Sequence, residues 1–202
     1  LARLVIVSNR VPTPRSRGAQ AGGLAVVLKE AAPPGTMWFG WSGSQTARTS
    51  TEPRVATSQG VAYATIDLAR DDFRKYYAGF ANGTLWPLLH FRLGLMAFSR
   101  AELDGYVAVN RGFATALAPL LEPDHLVWVH DYHLIPLGAE LRAQGVRNPI
   151  GFFLHVPFVP ASVFGVLPCA ARLLRELMAY DLIGLQTRQH VRDLGNAMAE
   201  IA

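Results

Sequence analysis

One cysteine in 202 residues excludes an internal disulfide, and the lone Cys169 agrees with a reducing compartment. Lysine is almost missing as well: of the 19 basic residues, 2 are lysine and 17 are arginine. The arginines are scattered along the chain. No basic arm and no aromatic–basic interleaving occurs, so nucleic acid is not an expected partner. A guanidinium fork matches phosphate, which makes small anionic ligands the better fit for this bias, although most of the arginines are ordinary surface residues. No apolar run is long enough to span a bilayer, and the one around Leu4–Val7 is too short for a signal-peptide core. No membrane association and a cytoplasmic location are therefore expected. The G-x-G-x-x-G dinucleotide fingerprint, H-E-x-x-H, any cysteine pair and the G-x-S-x-G elbow are all missing. Neither a metal nor a cofactor is expected.

Half of the residues are hydrophobic and 17% are charged, with a formal net charge of +4, which is a globular composition. The length fits one α/β domain. Short apolar runs at Leu4–Ser8, Met37–Trp41, Val61–Leu68, Leu126–Val129, Ile150–Leu154 and Leu182–Leu185 read as strands. Between them, helical patterns run from Gly22 to about Ala32, Asp71 to Gly79, Leu85 to His90, Arg100 to Leu121 and about Leu134 to Gln144. Short helices follow between Ser162 and Ala179, and Thr187 opens the last one. Val11–Gln20 and Ser42–Arg54 read as loops. Strands alternating with helices predict a doubly wound parallel sheet of Rossmann-like form, and the absence of a repeat or long linker predicts a single domain over residues 1–202. The chain starts at Leu1 and stops inside a helical pattern at Ala202, which leads us to expect an excerpt or one lobe of a larger protein.

In an open α/β sheet, ligands bind beyond the carboxyl ends of the strands. Arg10 ends the first strand and is a candidate phosphate fork; a surface salt bridge is the competing assignment. Asp131 directly follows the Leu126 run. A carboxylate there can accept a sugar hydroxyl proton, or serve as the N-cap of the following helix. His155 ends the next run and is either a hydrogen-bond donor to substrate or a satisfied core histidine. Gly22-Gly23, before a helical run, lets a phosphate approach a helix N-terminus, or simply makes a turn. Trp41, Tyr77 and Trp86 carry polar handles suited to carbohydrate, although aromatic residues are more often core. His130-Asp131-Tyr132-His133 is a poor metal site, because adjacent strand residues face opposite ways.

These segments together resemble the trehalose-6-phosphate synthases, retaining two-lobed glycosyltransferases of the GT-B type in glycosyltransferase family 20. The matching motifs are Val7–Arg10, Ala21–Leu24, Trp38–Gly43, Tyr76-Tyr77, Leu85–Pro87, Val107–Asn110, Trp128–Leu134, Gly151–Phe158 and Tyr180–Thr187. The resemblance implies an amino-terminal, acceptor-binding lobe in which Arg10, Trp41, Tyr77, Trp86 and Asp131 bind glucose-6-phosphate, with Arg10 and Tyr77 on its phosphate. It places Gly22 and Gly23 near the diphosphate of UDP-glucose and His155 on the donor glucose, and makes Asp131 and His155 the catalytic candidates. The implied reaction gives trehalose-6-phosphate and UDP with retained anomeric configuration, by front-face departure in which the leaving diphosphate takes the acceptor's proton. The basic pair on the leaving diphosphate, the uridine pocket and the ribose-binding carboxylate would come from a second lobe, so residues 1–202 alone are expected to be inactive in a coupled UDP-release assay. Val159 and Ser162 stand where the family has a proline and an acid, which bears on the local loop shape. A synthase for glycerol or cyclitol phosphates, a glucose-6-phosphate sensor without catalysis and an unrelated nucleotide-binding domain stay open as alternatives, as does the choice between monomer and homo-oligomer.

Overall fold

A computed structural model describes residues 3–11 and 32–202. The strands are β1 (Arg3–Arg10), β2 (Met37–Thr46), β3 (Arg54–Ser58), β4 (Val61–Ala69), β5 (His125–His130), β6 (Ile150–Phe153) and β7 (Leu182–Gly184). They form one sheet of 7 strands in the order β3-β4-β2-β1-β5-β6-β7. Every neighbouring pair is parallel except β3 with β4. β1 lies between β2 and β5 and is buried from Val5 to Ser8, which explains its unbroken apolar run. From β1 the chain steps outward through β2 and β4, then returns to β5 and steps the other way. The carboxyl ends of β1 and β5 thus form the topological switch point, where the crossovers leave a crevice.

The helices are α1 (Arg70–Phe73), α2 (Trp86–Leu89), α3 (Arg100–Leu117), α4 (Leu137–Ala143), α5 (Ala161–Phe164), α6 (Ala170–Leu177) and α7 (Arg188–Ile201). Buried apolar residues of α3, among them Leu103, Tyr106, Val107, Phe113, Ala114 and Leu117, recur at helical spacing. They join one core with Val5, Val7, Phe39, Val127 and Val129 from a single face of the sheet. The opposite face carries a smaller cluster of Ile6, Val11, Trp38, Val61 and Tyr63. None of the described helices is long and apolar enough to cross a membrane.

Several sequence expectations need correction. β2 runs on to Thr46, and the assumed loop ends in β3, an antiparallel edge strand whose first residues are exposed and therefore lack an apolar signature. The two helices expected at Asp71–Gly79 and Leu85–His90 are one continuous helical run, because a π-helix, Arg74–Leu85, connects α1 to α2. The long helix stops at Leu117 and tightens to a 3-10 turn over Ala118–Leu120, since Pro119 has no N–H to bond back one turn. The helix expected from Leu134 starts at Leu137 after a separate 3-10 turn, Tyr132–Leu134. Thr187 does open α7, its side chain accepting the His190 N–H at 3.2 Å. Val159 is fully buried and Ser162 is exposed on α5. The loop expected at Val11–Gln20 and the helix expected from Gly22 to about Ala32 lie, but for Val11 and Ala32, outside the described residues.

Candidate functional site

The first part of the site is built by a bulge. β1 pairs Ser8 with Gly40 and Arg10 with Trp41, which leaves Asn9 as the extra residue. The strands approach so closely there that a Cβ on Gly40 would lie 2.1 Å from the Ser8 carbonyl oxygen. Trp38 Nε1 donates to Ser8 Oγ at 2.8 Å, and that hydroxyl donates to the Arg10 carbonyl at 2.9 Å. Arg10 then emerges exposed, its Cζ 5.8 Å from the centre of the Trp41 ring. Gly43, at φ +93°, leaves room for it: a Cβ would come within 2.8 Å of the guanidinium nitrogens. Arg10 has no carboxylate partner among the described residues.

From Trp41 an aromatic shelf runs across the switch point. Trp41 and Tyr77 lie 6.2 Å apart, both packed on Phe73, and Tyr77 stacks on His133 at 5.4 Å and 11°. His133 in turn stacks on Tyr132 at 4.1 Å. Burial pushes the His133 imidazole down to about 3, so it is a neutral ring. Tyr76 and Tyr77 come from the π-helix, a distortion frequent at functional sites. The Tyr76 hydroxyl donates to Asn9 Oδ1 at 2.8 Å, and the Tyr132 hydroxyl to Asn82 Oδ1 at 2.7 Å. Tyr77 makes no side-chain hydrogen bond among the described residues, leaving its hydroxyl available.

The second part is the Asp131–His155 pair. Asp131 adopts φ +78°, ψ +165°, a region that side chains other than glycine's rarely enter. The surrounding structure holds it there. Its N–H donates to the Phe153 carbonyl at 2.9 Å, and its Oδ1 accepts the His155 N–H at 3.2 Å. The next three carbonyls are each clamped by a buried side chain: Tyr106 Oη donates to Tyr132 O at 2.6 Å, Asn110 Nδ2 to His133 O at 3.1 Å and Tyr180 Oη to Leu134 O at 2.7 Å. Asp131 holds the N-cap position of the 3-10 turn Tyr132–Leu134, but its carboxylate makes no capping bond and reaches across to the end of β6 instead. Burial raises its pKa to about 6, against the smaller pull of the Tyr132 and His155 amides. His155 is half-buried. Its Nε2 lies 2.9 Å from His130 Nδ1, and its carbonyl accepts from Gln186 at 2.6 Å. Tyr106→Phe keeps the ring but leaves the Tyr132 carbonyl unpaired. It is expected to destabilise the fold by about 1–3 kcal/mol in urea unfolding.

The structure brings Asp131 and His155 into direct contact and gathers Arg10, Trp41 and Tyr77 into one patch. The two groups are joined by the Tyr77–His133–Tyr132 stack, without direct contact between Arg10 and Asp131 or His155. Trp86 is exposed and stacks on His90 at 4.2 Å. Gly22 and Gly23 lie outside the described residues. Sequence reasoning gave no site role to Asn9, Asn82, His130, His133 and Asn110, although Asn9, His130, His133 and Asn110 lie inside the motifs Val7–Arg10, Trp128–Leu134 and Val107–Asn110, and the two histidines were weighed only as metal ligands. Among the described residues, no group of three or more His, Cys, Asp or Glu side chains is placed to hold a metal ion.

Comparison with known proteins matches residues 2–201 to the profile of glycosyltransferase family 20. A trehalose-6-phosphate synthase from Sinorhizobium fredii is 48% identical over 202 residues, covering 98% of this chain and 44% of the relative. An alpha,alpha-trehalose-phosphate synthase (UDP-forming) from Burkholderia xenovorans, solved with glucose-6-phosphate, superposes with a TM-score of 0.92 at 43% identity. That match covers 100% of this chain and 44% of the other. An Escherichia coli protein solved with UDP-2-fluoro glucose gives a TM-score of 0.88 at 41% identity, covering 98% of this chain and 43% of its own. The chain therefore spans less than half the length of these relatives.

Proposed function

Because the chain belongs to glycosyltransferase family 20, we propose that it forms the acceptor-binding lobe, residues 1–202, of a UDP-forming trehalose-6-phosphate synthase, a hexosyltransferase of the cytoplasm that takes UDP-glucose and glucose-6-phosphate as substrates. The observation that carries this reading is that an arginine without an acidic partner among the described residues, an aromatic shelf and an Asp–His pair lie at one switch point. Arg10 takes the phosphate as a fork, with the Tyr77 hydroxyl beside it. Trp86 offers an exposed ring face to the pyranose, the buried Trp41 supports the Arg10 guanidinium at the acceptor site, and Asp131 accepts a hydrogen bond from an acceptor hydroxyl. His155 lies one contact further along and reaches the donor hexose, with Gly22 and Gly23 on the donor diphosphate.

In the reaction, the acceptor hydroxyl oxygen bonds to C1 of the transferred glucose as the bond from C1 to the diphosphate oxygen breaks. The hydroxyl proton passes to the departing UDP. Such a centre works mainly by positioning two substrates and stabilising the leaving charge, and it requires no enzymic nucleophile.

The test is UDP release by the full-length protein, with trehalose-6-phosphate identified as the product. Release with glycerol or cyclitol phosphates in preference to glucose-6-phosphate would replace the acceptor assignment. Binding of glucose-6-phosphate with no UDP release would replace catalysis with sensing. A more local check uses Gly43→Ala. The added methyl collides with the Arg10 guanidinium and occupies a strained φ, so KM for glucose-6-phosphate is expected to rise about tenfold while KM for UDP-glucose stays within about twofold.

A further inference from the structure

His130 is fully buried at the end of β5, and His155 is half-buried just beyond β6. The His155 main chain is already held at both its N–H, by Asp131, and its carbonyl, by Gln186. What remains free is the orientation of its ring. Phe153 packs on that ring at 4.7 Å, and Trp128 packs on His130 at 4.3 Å. Between the two imidazoles a single hydrogen bond of 2.9 Å joins His130 Nδ1 to His155 Nε2. Burial holds both rings below the usual histidine range, so each is neutral at pH 7 and carries one ring proton.

Two neutral imidazoles can share this bond in two ways. If His155 donates from Nε2, then His130 must carry its own proton on Nε2, which is buried and has no partner among the described residues. If His130 donates from Nδ1, the buried Nε2 is a bare lone pair. Of these two orphans the unpaired N–H is the rarer in folded proteins, which favours the second arrangement. The His155 proton then resides on Nδ1, which makes no hydrogen bond among the described residues.

We propose that His130 is a positioning residue for the donor sugar: by donating its Nδ1–H to His155 Nε2 it fixes the His155 ring and keeps the His155 proton on Nδ1, where that N–H can donate a hydrogen bond to a hydroxyl of the transferred hexose. This rests on the glucosyl-transfer reading above and assigns a role to a residue outside the proposed substrate contacts. A carboxylate or carbonyl on the second ring nitrogen is the usual way to set a histidine tautomer, and here an imidazole does that work.

The test uses the full-length protein and two variants, His130→Phe and His130→Asn. Phenylalanine fills the space without a donor. Asparagine leaves a small void but places an amide N–H near the position of Nδ1. Nitrogen-15 spectra of the histidine rings are expected to show His155 protonated on Nδ1 in the wild type and in His130→Asn, and to lose that preference in His130→Phe. KM for UDP-glucose is expected to rise about tenfold in His130→Phe, with KM for glucose-6-phosphate within about twofold, and to recover in His130→Asn even though its unfolding midpoint is the lower of the two. A purely structural role would rank the variants by stability instead. A wild-type His155 protonated on Nε2, an unchanged donor KM in His130→Phe, or no recovery in His130→Asn would each overturn the proposal. A wild-type protein that releases no UDP would refute the glucosyl-transfer reading instead, and the spectra would still decide the hydrogen bond.

Discussion

Arg10→Ala is expected to lower kcat/KM for glucose-6-phosphate by about 10²–10³-fold, the range for removing one side of a charge-assisted contact that ligand binding covers. The guanidinium is free to give its whole fork to a ligand, because it has no acidic partner among the described residues and rests on Trp41 and beside Gly43. The effect is expected mainly in the acceptor KM, with the donor KM unchanged, as initial rates against each substrate would read. Arg10→Lys should recover only part of the loss, since an ammonium is a point charge and lacks the fork. The sharper control is unphosphorylated glucose. It offers nothing for Arg10 to hold, so Arg10→Ala should treat it no worse than the wild type does. An equal loss with glucose and with glucose-6-phosphate would remove Arg10 from the phosphate.

Asp131→Asn is expected to reduce activity and raise stability together. The carboxylate is the proposed hydrogen-bond acceptor for a substrate hydroxyl, and exchanging this charged acceptor for a neutral amide should lower kcat by about 10–10²-fold. Burial raises its pKa from 3.8 to about 6 in the folded chain. Between those values the native state binds more protons than the unfolded state, so stability falls as pH rises through the window from about 4 to about 6. Above it the buried charge destabilises the fold by roughly 2–3 kcal/mol. Asparagine keeps the acceptor for the His155 N–H but carries no charge. The variant should therefore match the wild type near pH 4 and exceed it by up to roughly 2–3 kcal/mol at pH 7, measured by urea unfolding at both values. Wild-type kcat/KM should also decline below about pH 6 as the carboxylate protonates. A variant no more stable at pH 7 than the wild type would show that burial is not what governs this group. Strain adds to the argument, because φ +78° with an extended ψ costs of order 1–3 kcal/mol at a residue with a side chain. A site residue that is both strained and charged where it is buried persists because its surroundings hold it, here the three clamps from Tyr106, Asn110 and Tyr180.

The strands of the sheet were readable because a strand buried on both faces demands a near-continuous apolar run, as Val5–Val7 shows, while on β5 and β6 apolar residues fill the part-exposed face as well, Trp128 beside the buried Val127 and Val129 and Phe153 beside the buried Ile150 and Phe152. The position of Arg10, Asp131 and His155 at strand ends followed from the same runs, and the family from the order of the motifs around them. β3 was unreadable, since an exposed edge strand has no apolar pattern to betray it. The π-helix was unreadable too. Its extra residue per turn shifts hydrogen bonds but leaves the composition Arg-Lys-Tyr-Tyr-Ala-Gly looking like any helix start. Nothing local announces that Asn9 receives the Tyr76 hydroxyl from 67 residues away, that Tyr77 stacks on His133, or that His130 turns toward His155. Local sequence dictates where the chain must be dry, and hence its strands and the faces they bury. Which polar atoms meet, which ring holds which proton and which backbone angle is strained depend on groups far apart in the chain, and are settled when the sheet brings the ends of β1, β5 and β6 side by side.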